Sequence, residues 1–127
     1  RAGPKAEMKT MSNLSSLNEP LKGSSSESAL MRVIQSQKMY GYWEANAEYY
    51  SILGTDKNTL LQIMSKAVAS AKGDKEQIVL TIALLIWMEK KFDAMKDSWN
   101  LIHKKGVQWL KTLGLNYAEI ASQVSLF

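Results

Sequence analysis

Residues 78–88 read IVLTIALLIWM, with Thr81 the only polar side chain in the run. A membrane-crossing helix needs about 20 apolar residues, whereas a run of about 10–14 is more often a buried core helix. Asp74, Lys75, Glu76 and Gln77 precede the run, and Glu89, Lys90 and Lys91 follow it. Extending it in either direction would carry those groups into lipid at a few kcal/mol each. A helix that is apolar all round must be surrounded by protein, so the run predicts a central helix from about Lys75 to Lys91. Asp74-Lys-Glu-Gln77 fits a capping box at its start, with Asp74 accepting from a free amide and Gln77 reaching back.

The rest of the chain reads as helices gathered around this one. Ser24-x-x-Glu27 opens a helix carrying Leu30, Met31, Val33 and Ile34 and ending near Gly41. A short helix over 46–53 has Gly54 just past its end, where a left-handed cap favours glycine. Thr55 or Asp56 caps the next helix, whose apolar face is Leu60, Met64, Ala67, Val68 and Ala71 before Gly73 stops it. From Asp93 to Leu113, the residues Met95, Trp99, Ile102, Gly106, Trp109 and Leu113 recur at helical spacing and keep one stripe facing a partner. Gly106 lies on that stripe and predicts a close backbone approach, because an interior glycine otherwise costs about 1 kcal/mol relative to alanine. Asn116-x-x-Glu119 begins a terminal helix with Ile120 and Val124 inward. No segment alternates long enough to suggest a strand. The expected fold is all-α: a compact bundle of about five helices around the central apolar helix 75–91.

With 127 residues, 46% of them hydrophobic, the chain has room for one domain with a real core. Residues 1–26 differ in composition, holding both prolines, six serines and few apolar residues. They read as a flexible linker, since such a segment buries too little surface to offset its ordering entropy. A short docked helix carrying Met8, Met11, Leu14 and Leu17 is the other reading. Residues 27–127 are then the helical interaction domain. A start at Arg1 rather than Met reads as a piece of a longer protein or a tag remnant, and no secretory h-region is visible there. The absence of cysteine rules out disulfides and thiolate metal sites and suits a reducing compartment.

No catalytic constellation stands out in the sequence. His103 is the only histidine and reads as a partly exposed helix residue without an orienting carboxylate. No serine sits in a nucleophile elbow, and the glycines form no phosphate-cradling cluster. Asp93 and Asp97 share a helix face but read as solvated charges beside Lys90 and Lys96. The net charge of +4 comes from scattered lysines, with Arg1 and Arg32 the only arginines. Nucleic-acid surfaces gather such charge on one stripe with stacking aromatics. No catalytic, cofactor-binding or metal-ligating residue is expected, and neither a nucleic acid nor a membrane is expected as partner.

Aromatic residues are the remaining unusual feature. Tyr40, Tyr42, Tyr49 and Tyr50 crowd around Gly41 together with Trp43. Rings with one apolar and one polar end are common at interfaces. The four tyrosines are therefore the candidate partner-binding residues. Trp43, Leu60, Met64, Val68, Ile82, Leu85, Trp87, Trp99, Ile102 and Trp109 are the expected structural core. On that assignment Trp99→Ala and Trp109→Ala each cost about 3–5 kcal/mol.

Two stretches carry a family resemblance. In LMRVIQSQKMYGYWEANAEYYSILG, Ile34-Gln35, Gly41-Tyr42-Trp43 and Ile52-Leu53-Gly54 follow a pattern of helix, Gly-x-Trp and short helix closed by Leu-Gly. In IVLTIALLIWMEKKFDAMKDSWNLIHKKGVQWL, the residues Thr81, Leu84, Trp87, Glu89, Trp99, Lys105-Gly106 and Trp109-Leu110 fall into register with a second pattern. Together, over about residues 30–111, they resemble the C-terminal domain of proteins with a vault inter-alpha-trypsin domain and a von Willebrand A domain. The vault poly(ADP-ribose) polymerase belongs to that group. Gly106 stands where that pattern more often has alanine, and Leu115 to Phe127 have no counterpart in it.

The resemblance implies a non-enzymatic domain that binds the major vault protein and targets its parent to the vault, a ribonucleoprotein particle. It implies a cytoplasmic, vault-associated location and allows a nuclear pool. The polymerase's NAD-binding residues lie elsewhere in such proteins, and the Asp-x-Ser-x-Ser metal motif of the von Willebrand A domain is absent from these residues. The alternative is an intramolecular structural cap that packs against other domains of the parent chain.

Overall fold

The computed structural model describes residues 22–127, with side chains from residue 26 onward. Most of the expected linker, residues 1–26, lies outside the described residues. The fold is all-α, with six α-helices, one short 3-10 turn and no strand among the described residues. They are α1 (Lys22–Ser36), α2 (Ala47–Leu53), α3 (Lys57–Met64), α4 (Lys75–Lys91), α5 (Lys96–Thr112) and α6 (Tyr117–Gln123), with the turn at Asp93–Met95. The chain parts into two units, residues 1–32 and 33–127. Among the described residues the first unit holds most of α1, with Leu30 buried and Met31 partly exposed. Its helix begins at Lys22, ahead of the start expected at Ser24.

In the second unit α4 is the hub and contacts α2, α3, α5 and α6. Every residue from Ile78 to Met88 is buried, as the unbroken apolar run requires. Asp74 caps the helix by accepting from the amides of Glu76 and Gln77, while Lys90 and Lys91 sit in its last turn beside the exposed carbonyls. Among the described residues no helix is long and apolar enough to cross a membrane. Thr81 is buried too, and its hydroxyl accepts the backbone N–H of Trp43 at 3.2 Å. The Trp43 indole donates to the carbonyl of Val33 at 2.8 Å. That carbonyl belongs to the last turn of α1, where helix geometry provides no acceptor's partner.

Several helix ends differ from expectation. The helix after Asp56 stops at Met64 rather than running to Gly73. Beyond it a four-residue bond (Val68 to Met64) gives way to three-residue steps (Ala69 to Lys66, Ala71 to Val68), so the chain continues as turns. Ser65 donates back to the Gln62 carbonyl, competing with the regular ladder. Val68 and Ala71 still reach the core from this segment. Likewise the helix expected from Asp93 begins at Lys96. The Phe92 carbonyl, which receives the Met95 amide, also accepts the Trp99 indole at 2.7 Å, fixing the corner between α4 and α5.

Of the expected core, Trp43, Leu60, Met64, Val68, Ile82, Leu85, Trp87 and Trp99 are buried. Ile102 and Trp109 are only half-buried. The inward line of α5 runs instead through Trp99, Gly106 and Leu110, with His103 completing the spacing. His103, as half-buried as Ile102, is held by the partly exposed Glu89 carboxylate. The turn at Gly41 lies against Trp109, a Cβ on Gly41 coming within 3.1 Å of Cβ of Trp109, and the indole packs on Tyr42 half-buried.

Candidate functional site

The segment after α1 lays a tight turn across the middle of α5. Gly41 donates to the Lys38 carbonyl and Lys38 to the Tyr42 carbonyl, closing the turn over 38–42. Gly41 has φ of 110°, a conformation open to glycine. A Cβ there would overlap the Lys105 carbonyl oxygen and lie 3.1 Å from Cβ of Trp109. The Gln37 amide fastens the turn by donating to the carbonyls of Gly41 and Ile102, both at 2.9 Å. Its Oε1 is buried without a donor, the one such side-chain atom among the described residues.

This crossing places large apolar side chains in solvent. Met39 is 77% exposed and Tyr40 73%, at the tip of the turn. Tyr42 packs against Trp109 with ring centroids 5.1 Å apart. A groove of about 460 Å³ opens between turn and helix, lined by Met39, Tyr40, Lys105, Gln108, Trp109 and Thr112. One helical turn before Lys105, Leu101 is 74% exposed and extends the apolar face. From Ser98 to Ala118 the sequence contains Lys104, Lys105 and Lys111 and no acidic residue. Among the described residues none of these three lysines has a carboxylate within ion-pair distance.

The four tyrosines do not form one cluster. Tyr40 and Tyr42 border the groove. Tyr49 is half-buried and donates to Ser36 at 2.7 Å. Tyr50 donates to Glu76 Oε2 at 2.8 Å, while the other Glu76 oxygen meets Lys57 at 3.6 Å. Burial, reinforced by the Glu76 carboxylate, pushes the Tyr50 hydroxyl above its ordinary pKa. Tyr49 and Tyr50 thus spend their hydroxyls inside the fold. Tyr50 and Glu76 also line a separate open notch with Asn46, Asp56 and Lys57.

A polar cluster was not foreseen. His103 Nε2 lies 2.6 Å from Glu89 Oε2, and the same oxygen accepts the Tyr117 hydroxyl at 2.6 Å. The imidazole lies between Trp99 and Tyr117, with centroids 5.3 Å and 5.1 Å away. His103 therefore has the carboxylate that the sequence reading denied it. Burial pulls its pKa below the ordinary value, against the upward influence of Glu89 and together with repulsion from Lys96. The Tyr117 hydroxyl is pushed upward, first by burial and then by Glu89. The signal lay in the hairpin itself: Glu89 closes α4, His103 sits in mid-α5, and antiparallel helices bring such positions together. Among the described residues no cluster of three or more His, Asp or Glu side chains could hold a metal ion.

Comparison with known proteins gives one relationship. Over 84 residues, 66% of the chain, the sequence is 30% identical to von Willebrand factor A domain-containing protein 5A of Mus musculus. The Homo sapiens protein of the same name is 25% identical over 85 residues. The chain spans only 10% of the length of either relative. No family model matches it, and no solved structure matches significantly. The similarity thus ties about two thirds of the chain to a short segment of von Willebrand A domain-containing proteins.

Proposed function

We propose that residues 27–127 form a non-enzymatic protein-interaction domain that binds the major vault protein and brings its parent to the vault particle. The carrying observation is the sequence framework of Gly41-Tyr42-Trp43, Trp87, Trp99 and Trp109, which resembles the C-terminal domain of vault-associated proteins. Similarity to a von Willebrand A domain-containing protein agrees with that architecture. The exposed Met39 and Tyr40 beside Trp109 provide a surface of the kind that partners cover. On this reading the domain works by docking, and its parent is found with vaults in the cytoplasm.

The test is retention of the chain by purified vault particles, compared with the Met39→Ala and Tyr40→Ala variants. Wild type is expected to co-sediment and the variants to be depleted from the pellet. If wild type stays in the supernatant, the vault assignment fails. The intramolecular-cap reading then gains if deleting 27–127 from the parent lowers the melting temperature of the remainder.

A further inference from the structure

The geometry points to the kind of segment that the groove between the 38–42 turn and α5 receives: an amphipathic protein helix whose apolar residues are flanked by carboxylates. The inference rests on reading the chain as a protein-interaction domain, and does not depend on the partner being a vault protein.

The groove combines two chemistries. Its apolar part is Met39, Tyr40 and the half-buried Trp109, continued by Leu101 on the outer face of α5. Three of these four side chains are about three-quarters exposed, and covering them removes apolar surface from water. The charged part is one-sided. Lys105 lines the groove, Lys104 and Lys111 are exposed on the same helix, and no acid occurs between Ser98 and Ala118. The nearby Lys38 is already matched by Glu44 at 3.2 Å, so the unmatched charge lies along α5. A partner with carboxylates beside apolar anchors answers both parts, whereas a cationic partner meets Lys105 at the groove with no acid on that stretch of α5 to offset it.

A helix suits the site because anchors at i, i+3 and i+4 present one apolar line to a groove beside another helix. A nucleic acid fits less well. The lysines would meet phosphates and Trp109 could stack, but Met39 and Leu101 are aliphatic and offer bases no stacking face. Gln108 provides an amide beside the apolar floor, able to bond a partner's exposed polar group at the groove edge.

The experiment measures binding of the 127-residue chain to two labelled amphipathic peptides, one of leucine and glutamate and one of leucine and lysine, by fluorescence anisotropy. The glutamate peptide is expected to bind, more weakly as salt rises, and the lysine peptide is not. Lys105→Glu and Tyr40→Ala should each weaken glutamate-peptide binding by about tenfold. Both residues project from the fold, so the thermal melt should stay unchanged and separates a lost contact from lost structure. Equal binding of both peptides, no binding of the glutamate peptide, or indifference to both substitutions overturns the proposal. Displacement of the peptide by a single-stranded RNA assigns the face to nucleic acid and also overturns it. If vault particles fail to bind while the glutamate peptide binds as expected, only the vault reading falls. Vault binding without peptide binding removes only this account of the groove.

Discussion

A methyl group placed on Gly106 would lie 3.3 Å from the carbonyl oxygen of Gly41, so the two glycines mark where the 38–42 turn and α5 touch backbone to backbone. They are not equivalent. At Gly41 the added carbon meets the Lys105 carbonyl, which cannot move without bending α5, and the positive φ disfavours any side chain. At Gly106 it meets Cδ2 of Leu85 at 2.9 Å, the end of a side chain. Gly41→Ala is therefore expected to cost about 3 kcal/mol. Gly106→Ala gains helix propensity but crowds a fully buried leucine, for a net loss of about 1 kcal/mol. Urea denaturation of both variants checks the order, and equal losses would mean the crossing is looser than described.

The two tryptophans of α5 separate by the same crossing. Trp99 is 4% exposed and its indole is bonded to Phe92, whereas Trp109 is half-buried against Tyr42. Trp99→Ala should cost about 3–5 kcal/mol, as expected of a large aromatic removed from a packed interior. Trp109→Ala should cost roughly half as much, because part of its surface is already wet. Its main effect should be weaker docking in the groove. Melting curves and peptide binding on the same samples distinguish the two roles.

Thr81 is the polar exception in the central run, and its hydroxyl answers the backbone amide of Trp43. Valine has nearly the same shape but leaves that buried N–H without an acceptor. Thr81→Val should therefore destabilise by about 1–3 kcal/mol despite the more apolar side chain. A stability unchanged or raised in denaturant titration would mean that the amide finds another partner.

Much of the fold is written in local pattern. The apolar run 78–88, the caps at Asp74, Asp56 and Asn116, and the glycine after Leu53 rest on neighbours within a few residues. These features hold in the structure. Apart from helix ends such as Met64, what escaped the sequence depends on residues distant in the chain. Ile102 and His103 are both half-buried on α5, and the contacts that hold His103 come from Glu89 and Tyr117 on other helices. Trp109 reads as core by spacing, but the neighbour it packs on, Tyr42, lies in a turn almost seventy residues earlier, and it stays half-buried. The tyrosines show the limit for the candidate surface: composition singles out all four, yet only tertiary partners reveal that Tyr49 and Tyr50 spend their hydroxyls internally.

The pairing of His103 with Glu89 makes stability depend on pH in a definite direction. Burial lowers the folded-state pKa of the imidazole below its ordinary value of 6.5, despite the attraction of Glu89 and with Lys96 opposing a second positive charge. As pH falls through 6.5 the unfolded chain takes up a proton that the folded chain still refuses. The unfolded state then binds more protons, so stability is highest above pH 6.5 and declines below it until the folded imidazole also protonates. At neutral pH the ring donates through Nε2–H to the carboxylate, and glutamine can offer an amide N–H there without titrating. Thermal melts of wild type and His103→Gln from pH 7.5 down to about 5 should therefore diverge. Wild type should lose more stability on acidification, and the difference should open below 6.5. A wild type that gains stability relative to the variant over that range would mean the carboxylate outweighs burial and the pair is an ion pair in the folded protein.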